Sequence, residues 1–182
     1  MRVIPHLPAA LRRRPGRRAG AALATVLATA GAAAAVAPQA DAAAYYQTLR
    51  AQHSALNIEV EGASMQPGAK VIQWYINGGA NQKWSIPGNF QTGLVTNQNS
   101  HLCLTTDGIA NHQLFQDYCN KGDKQQFQVA TSSSGGLKVV TLYHPSTGLV
   151  VDVSGHSQWA GAGVNLWYPN GGDNQSFYTG NL

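Results

Sequence analysis

One phrase occurs three times in the chain, and this repeat restricts the possible folds more than any other feature. The copies are NGGANQKW at residues 77–84, NKGDKQQF at 120–127 and NGGDNQSF at 170–177. Each has a turn containing glycine, two polar residues that usually end in glutamine, one spacer and a large aromatic residue. The copies begin 43 and 50 residues apart. Similarity at periods of this length indicates a fold assembled from repeated supersecondary units.

The segments before the phrase repeat as well. LNIEV at 56–60 leads to VIQW at 71–74, and LVVDV at 149–153 leads to VNLW at 164–167. Twelve residues separate Glu59 from Val71, and twelve separate Asp152 from Val164. The middle unit, with LCLT at 102–105, is shorter by three residues in this interval. Short apolar alternations broken by Gly, Asn, Ser and Asp predict an all-β sandwich or barrel, without a convincing amphipathic helix.

Residues 1–44 have the composition of an export leader. Five arginines lie between positions 12 and 18, an alanine-rich stretch covers 19–37, and small residues at 40–44 offer cleavage sites. This order predicts a secretory signal peptide and a secreted, extracellular protein. The apolar stretch is too weakly hydrophobic for a lasting membrane span. An uncleaved anchor and a wrongly assigned start are the alternatives. A twin-arginine route is weakly supported, because the residues after Arg18 lack the bulky apolar pair of such signals.

The formal charge of +4 comes from this leader. From residue 45 onward the chain has six basic and seven acidic side chains, a net charge of about −1. No basic stripe is present, so nucleic-acid binding is not expected.

The two cysteines are Cys103 and Cys119. Neither lies in a CxxC or Cys/His pattern, so no zinc site is predicted. In an exported protein the expected pairing is a disulfide. Closing a loop of this size would stabilise the fold by roughly 3 kcal/mol.

Each copy of the repeated segment ends in a tripeptide of the form Gln-x-aromatic: Gln82-Lys83-Trp84, Gln125-Gln126-Phe127 and Gln175-Ser176-Phe177. With their matching upstream strands, these units resemble the ricin-type β-trefoil lectin family over residues 45–182. The resemblance implies a six-stranded barrel capped by three hairpins, with pseudo-threefold repeats of about four strands at 45–88, 89–130 and 136–182. It also places the three closing aromatic residues in a shared core.

The same resemblance implies a sugar site in the third unit. A carboxylate and amides would bind paired hydroxyls, and an aromatic face would pack on the ring. The expected set is complete: Asp152, Asn165, Trp167, Asn174 and Gln175. The family more often has glutamine where Asn165 stands. Strand alternation turns Val151 and Val153 inward and Asp152 outward.

The first and middle units depart from this set. In the first, Glu59 replaces the aspartate and Ile72 replaces an amide, while the other positions fit: Trp74, Asn81 and Gln82. This unit is predicted to bind sugar with altered selectivity or not at all. In the middle unit the corresponding positions carry other side chains: Thr105, Phe115, Asp117 and Lys124. That unit is predicted to be structural and stapled by its cysteines.

The sequence therefore predicts a monomeric, non-enzymatic, cofactor-free lectin. Its expected ligands are galactose-, xylose- or arabinose-type glycans, bound mainly by the third repeat. No GxSxG, Cys/His or phosphate-loop motif suggests an enzyme. Glu59 and Glu61 do not make a glycosidase site without a cleft and tuned pKa values. Four histidines are expected to be solvated loop residues: His101, His112, His144 and His156.

An interaction or protease-inhibitor scaffold is the alternative from another class. Its candidate loop is TSSSGG at residues 131–136, the longest polar segment. The composition of this segment favours a flexible turn over a rigid inhibitory loop.

Overall fold

A computed structural model describes residues 45–180. The signal peptide predicted for residues 1–44 lies outside the described residues. The described chain is all-β, as predicted, with thirteen strands. Their bounds are β1 Gln47–Ala51, β2 Asn57–Val60, β3 Val71–Trp74, β4 Lys83–Ser85, β5 Thr92–Gly93, β6 Thr96–Asn97, β7 Cys103–Thr105, β8 Phe115–Asp117, β9 Phe127–Ser134, β10 Leu137–His144, β11 Leu149–Val153, β12 Val164–Trp167 and β13 Phe177–Gly180.

Short single turns of 3₁₀-helix are the helices of this region. They span Glu61–Ala63, Ala80–Gln82, Asp123–Gln125, Ser154–His156 and Asp173–Gln175. No helix among residues 45–180 is long and apolar enough to cross a membrane.

A closed barrel is formed by six antiparallel strand positions, one of which is filled by two short strands. β1 pairs with β4 and β13, β13 pairs with β10, and β10 pairs with β9. The short strands β5 and β6 together close the ring, since β5 pairs with β9 and β6 pairs with β4. Closure removes the exposed edges that an open sheet of this size would present.

Three hairpins cap the barrel, one in each unit: β2–β3, β7–β8 and β11–β12. Their registers correspond across the units. Glu59 pairs with Ile72, Thr105 with Phe115, and Asp152 with Asn165. The predicted β-trefoil is confirmed, and the repeat brings equivalent residues to equivalent places on three faces.

The closing aromatic residues of the three phrases lie in the core, as predicted. Trp84 is 1% exposed, and Phe127 and Phe177 are fully buried. They pack in one cluster with Val and Leu side chains from all three hairpins. The Trp84 indole also donates to the Ile58 carbonyl oxygen at 3.0 Å, so its one polar group is satisfied. One unit alone could not bury this surface, which explains why three are present.

The turn that opens each phrase is an Asx turn. The side-chain oxygens of Asn77, Asn120 and Asn170 each accept the backbone N–H two residues later at 2.8 Å. In the third unit, Gly171 has a φ of 72°. A Cβ on Gly172 would lie 2.5 Å from the Asn174 side-chain oxygen, so this glycine makes room for Asn174.

Two sequence expectations are wrong. The polar segment 131–136 is not a flexible loop, because Thr131–Ser134 belong to β9 and only residues 135–136 make the turn into β10. His144 is not a solvated loop residue: it is 1% exposed. Its ring nitrogens lie 2.9 Å from Thr147 Oγ1 and 2.9 Å from the Asp123 carbonyl oxygen. These partners offset the free-energy cost of burying the polar atoms of the ring.

Candidate functional site

A cavity of about 520 Å³ opens on the third unit. It is lined by Asp152, Asn165, Trp167 and Asn174, four of the five residues that the sequence predicted for this site, together with Asn111, Ser154, Gly155, His156, Asn170 and Gly172. Trp167 keeps 38% of its surface exposed. A half-exposed indole beside a buried carboxylate offers an apolar face and a polar floor to one ligand.

Asp152 forms the floor. It points away from the core as predicted, yet it is only 3% exposed. Its Oδ2 accepts hydrogen bonds from Asn174 Nδ2 at 2.9 Å and from Gln175 Nε2 at 2.8 Å. Two amides on one oxygen fix the plane of the carboxyl group and leave Oδ1 for the cavity. Such a group can accept hydrogen bonds from paired hydroxyls.

Burial dominates the electrostatics of Asp152. Desolvation raises its pKa above the usual 3.8. The hydrogen bonds from Gln175 and Asn174, and the nearby His53 and His156, act in the opposite direction without cancelling it. The site therefore holds a carboxyl group that protonates more readily than an ordinary aspartate.

Gln175 lies behind Asp152 rather than on the cavity surface. Its Nε2 also donates to the Tyr168 carbonyl oxygen at 2.9 Å, and its Oε1 accepts from the Asn170 N–H at 3.0 Å. Gln125 and Gln82 make the same pair of backbone contacts in their own units. The glutamine of the repeated phrase thus ties the hairpin to the turn, and in the third unit it also positions the carboxylate.

The first unit contains a second cavity, of about 390 Å³. Glu59, Trp74 and Asn81 line it, with Ile72 in the place of an amide. Glu59 Oε2 accepts from Gln82 Nε2 at 2.6 Å. Burial raises the pKa of Glu59, partly offset by the Gln82 and Asn81 amides. Gln82 is fully buried and, like Gln175, positions the carboxylate from behind.

The middle unit has no carboxylate at the corresponding position. Thr105 Oγ1 donates to the Cys103 carbonyl oxygen at 2.8 Å and accepts from Gln125 Nε2 at 3.0 Å. Cys103 and Cys119 form the predicted disulfide, with their Cα atoms 5.1 Å apart. The cross-link joins β7 to the segment just after β8, next to Asp117, which pairs in register with Cys103 as Trp167 does with Val150 in the third unit.

Six of the residues that line the third cavity were not predicted from the sequence, among them His156 and Asn111. His156 lies on the rim of the cavity with Nε2 2.6 Å from Asp173 Oδ1, and it was expected to be only a solvated loop residue. Asn111 comes from the middle unit, and its Oδ1 lies 3.0 Å from Asn165 Nδ2. Among residues 45–180, no group of three or more His, Cys, Asp and Glu side chains is placed to hold a metal ion.

A closed barrel with three hairpin caps and carboxylate–tryptophan cavities on two of them defines a β-trefoil with repeated surface sites. The sequence over residues 45–177 matches the model of the ricin-type beta-trefoil lectin domain. The chain therefore belongs to this family. A comparison of the sequence with curated proteins gives no significant match.

Solved structures of the same fold resemble the described domain. ThreeFoil, a designed threefold-symmetric protein, is 29% identical with a TM-score of 0.67, over 75% of this chain and 99% of that one. The C-half of the earthworm R-type lectin, solved in complex with GalNAc, is 21% identical with a TM-score of 0.58, over 74% of this chain and 96% of that one.

An enzyme also contains a region of this fold. The exo-beta-1,3-galactanase 1,3Gal43A from Clostridium thermocellum is 22% identical with a TM-score of 0.64, over 74% of this chain but only 29% of that one. Most of that protein therefore lies outside the region similar to this chain.

Proposed function

We propose that the protein is a secreted, non-catalytic lectin whose principal sugar site is the cavity of the third unit. The observation that carries this proposal is the environment of Asp152. One carboxyl oxygen is held by two amides, and the cavity beside it is walled by the exposed face of Trp167. Hydroxyl groups of a sugar donate to such a carboxylate, and the C–H face of its ring packs on an indole.

Galactose-, xylose- or arabinose-type glycans are the proposed ligands. The family match and the GalNAc complex of the earthworm lectin support a sugar of this kind. The first unit supplies a second and weaker site, because Ile72 offers an apolar wall where the third unit has Asn165. Two sites on one domain engage a polymer more strongly than either site alone, through effective concentration.

A non-catalytic role agrees with the composition of the third cavity. Among its lining residues Asp152 is the single carboxylate, whereas glycoside hydrolysis generally uses a pair of carboxyl groups across the scissile bond. Secretion is supported by the basic and apolar leader at residues 1–44 and by a disulfide of the kind that persists in oxidising compartments.

Titration against a polysaccharide panel and the matching methyl glycosides tests the proposal. Asp152→Asn should abolish most of the binding, because it replaces an acceptor oxygen by an amide group while keeping the shape of the side chain. Thr105→Ala, at the equivalent position of the middle unit, is the matched control and should bind like the wild type. Equal binding by Asp152→Asn and wild type would reject the site assignment.

A further inference from the structure

The three units interlock in a cycle. A loop residue of each unit donates its backbone N–H to a strand of the next: Gly68 to the Gln116 carbonyl oxygen at 2.7 Å, Asn111 to Leu166 at 2.8 Å, and Gly161 to Gln73 at 2.8 Å. Each unit therefore contributes a wall to its neighbour's face. Asn111 lines the third cavity, and Gly161 lines the first.

This shared position has a backbone conformation that suits glycine. Gly68 has a φ of 83° and Gly161 one of 88°. Asn111 has a φ of 65°, a left-handed conformation that most side chains avoid and asparagine tolerates best after glycine. The middle unit thus places a side chain where the other two have none.

The Asn111 side chain faces the strand residue that differs between the units. Asn111 and Asn165 lie 3.0 Å apart, and both line the third cavity. With its amide turned, Asn165 would bring its nitrogen 3.0 Å from the Asp152 carbonyl oxygen and 3.3 Å from Oδ1. The two amides can therefore pair in either direction, the second one requiring Asn111 to turn its amide as well so that its nitrogen faces the Asn165 oxygen.

The pair is absent from the first site. There the strand position is Ile72 and the loop position is Gly161, and a Cβ on Gly161 would lie 3.7 Å from the Trp74 ring. In the third site an amide in the loop accompanies an amide on the strand, whereas in the first site a glycine in the loop accompanies an apolar residue on the strand. The two sites therefore differ at both the loop position and the strand position rather than at one of them.

We propose that Asn111 is a specificity-determining residue of the third site, which it completes from the neighbouring unit. Paired with Asn165, it binds a hydroxyl of the sugar beyond those that Asp152 accepts, since an amide pair offers both a donor and an acceptor. The preferred ligand is then a pyranose with a hydroxyl at this additional position. The first site lacks the amide pair and therefore cannot distinguish sugars that have this hydroxyl from sugars that lack it. The inference rests on the proposed sugar-binding function.

Asn111→Gly provides a test that preserves the fold, because glycine occupies the same position in the other two units. Binding of the methyl glycosides of galactose, xylose and arabinose is measured first by calorimetry on the intact protein. The tightest of them is then compared with its monodeoxy analogues, for wild type and variant.

We expect Asn111→Gly to bind the parent glycoside about tenfold more weakly, the effect of one lost hydrogen bond. We also expect it to become insensitive to deoxygenation at one ring position where the wild type loses affinity. A variant with unchanged affinity, or with weaker binding but the wild-type pattern of deoxy effects, would overturn the assignment. Wild-type protein that binds none of the glycosides, or an Asp152→Asn variant that binds like wild type, would instead reject the proposed function itself.

Discussion

Replacing Gln175 by alanine should damage both the fold and the sugar site, and the repeat provides its own control. In the third unit the lost contacts are those of Nε2 with Asp152 and Tyr168, and that of Oε1 with the Asn170 N–H. In the middle unit Gln125 makes the corresponding contacts with Thr105, Tyr118 and Asn120. The two glutamines thus differ mainly in whether the strand partner is a carboxylate or a hydroxyl.

The expected magnitudes follow from these contacts. Hydrogen bonds between neutral groups contribute about 1 kcal/mol each and those to a charged group about 2 kcal/mol, so Gln175→Ala should cost about 4 kcal/mol and Gln125→Ala about 3 kcal/mol. Either loss is a large fraction of the roughly 5–15 kcal/mol that stabilises an ordinary domain. Urea unfolding at neutral pH without reductant measures both.

Sugar affinity separates the two variants. Gln175→Ala leaves Asp152 with only the Asn174 amide to fix its carboxyl plane, so we expect glycoside binding to weaken by about tenfold or more. Gln125→Ala should bind like the wild type under conditions in which it is folded. Equal losses of affinity in both variants, or a cost below about 1 kcal/mol for Gln175→Ala, would refute the positioning role.

Three further predictions concern charge and the cross-link. Because burial raises the pKa of Asp152 above 3.8, sugar affinity should fall as pH drops through that raised value, and affinity that stays constant down to pH about 3.8 would contradict this. The same shift means that ionisation of Asp152 opposes folding. This effect is absent below the pKa that Asp152 has in the unfolded chain and fully present above the higher pKa that it has in the folded protein. Urea unfolding should therefore show Asp152→Asn gaining stability relative to wild type as pH rises through this interval, and a relative loss would contradict it. Replacing Cys103 and Cys119 together by alanine should lower the free energy of unfolding by about 3 kcal/mol and leave glycoside affinity unchanged; lost affinity in the folded variant would place the disulfide in the binding machinery.

Most of the fold could be predicted from the sequence because its determinants recur at fixed intervals. The buried aromatic residues Trp84, Phe127 and Phe177 each end a copy of the same phrase. The pairing of Asp152 with Asn165 follows from the alignment of the hairpins. The wrong expectations concern residues without such a pattern. The predicted solvent exposure of His144 is wrong because one of its two ring partners, the Asp123 carbonyl oxygen, comes from a distant 3₁₀ turn and could not be read from the local sequence.

The contribution of Asn111 depends on a contact between units. It lies 54 residues from Asn165 in the chain, and the shorter interval in the middle unit hides its equivalence with Gly161 when the units are aligned from their first strands. The signal is present when the units are aligned from the second strand of each hairpin. Gly68, Asn111 and Gly161 each stand three residues before an apolar residue at the start of that strand or directly before it. Only the interlocking of the units shows that this position belongs to the neighbouring site.

The four tryptophans allow the proposed sugar site of the third unit to be tested in one titration. Trp167 lines the third cavity and Trp74 the first, Trp84 is 1% exposed in the core, and Trp159 is 77% exposed. Their indole N–H signals are followed by NMR while methyl galactoside, xyloside or arabinoside is added. We expect the Trp167 signal to shift at the lowest sugar concentration, the Trp74 signal to shift later or not at all, and the Trp84 signal to stay fixed. A saturable shift confined to Trp159, or a Trp167 signal that stays fixed while the sugar binds, would show that the third cavity is not the principal sugar site.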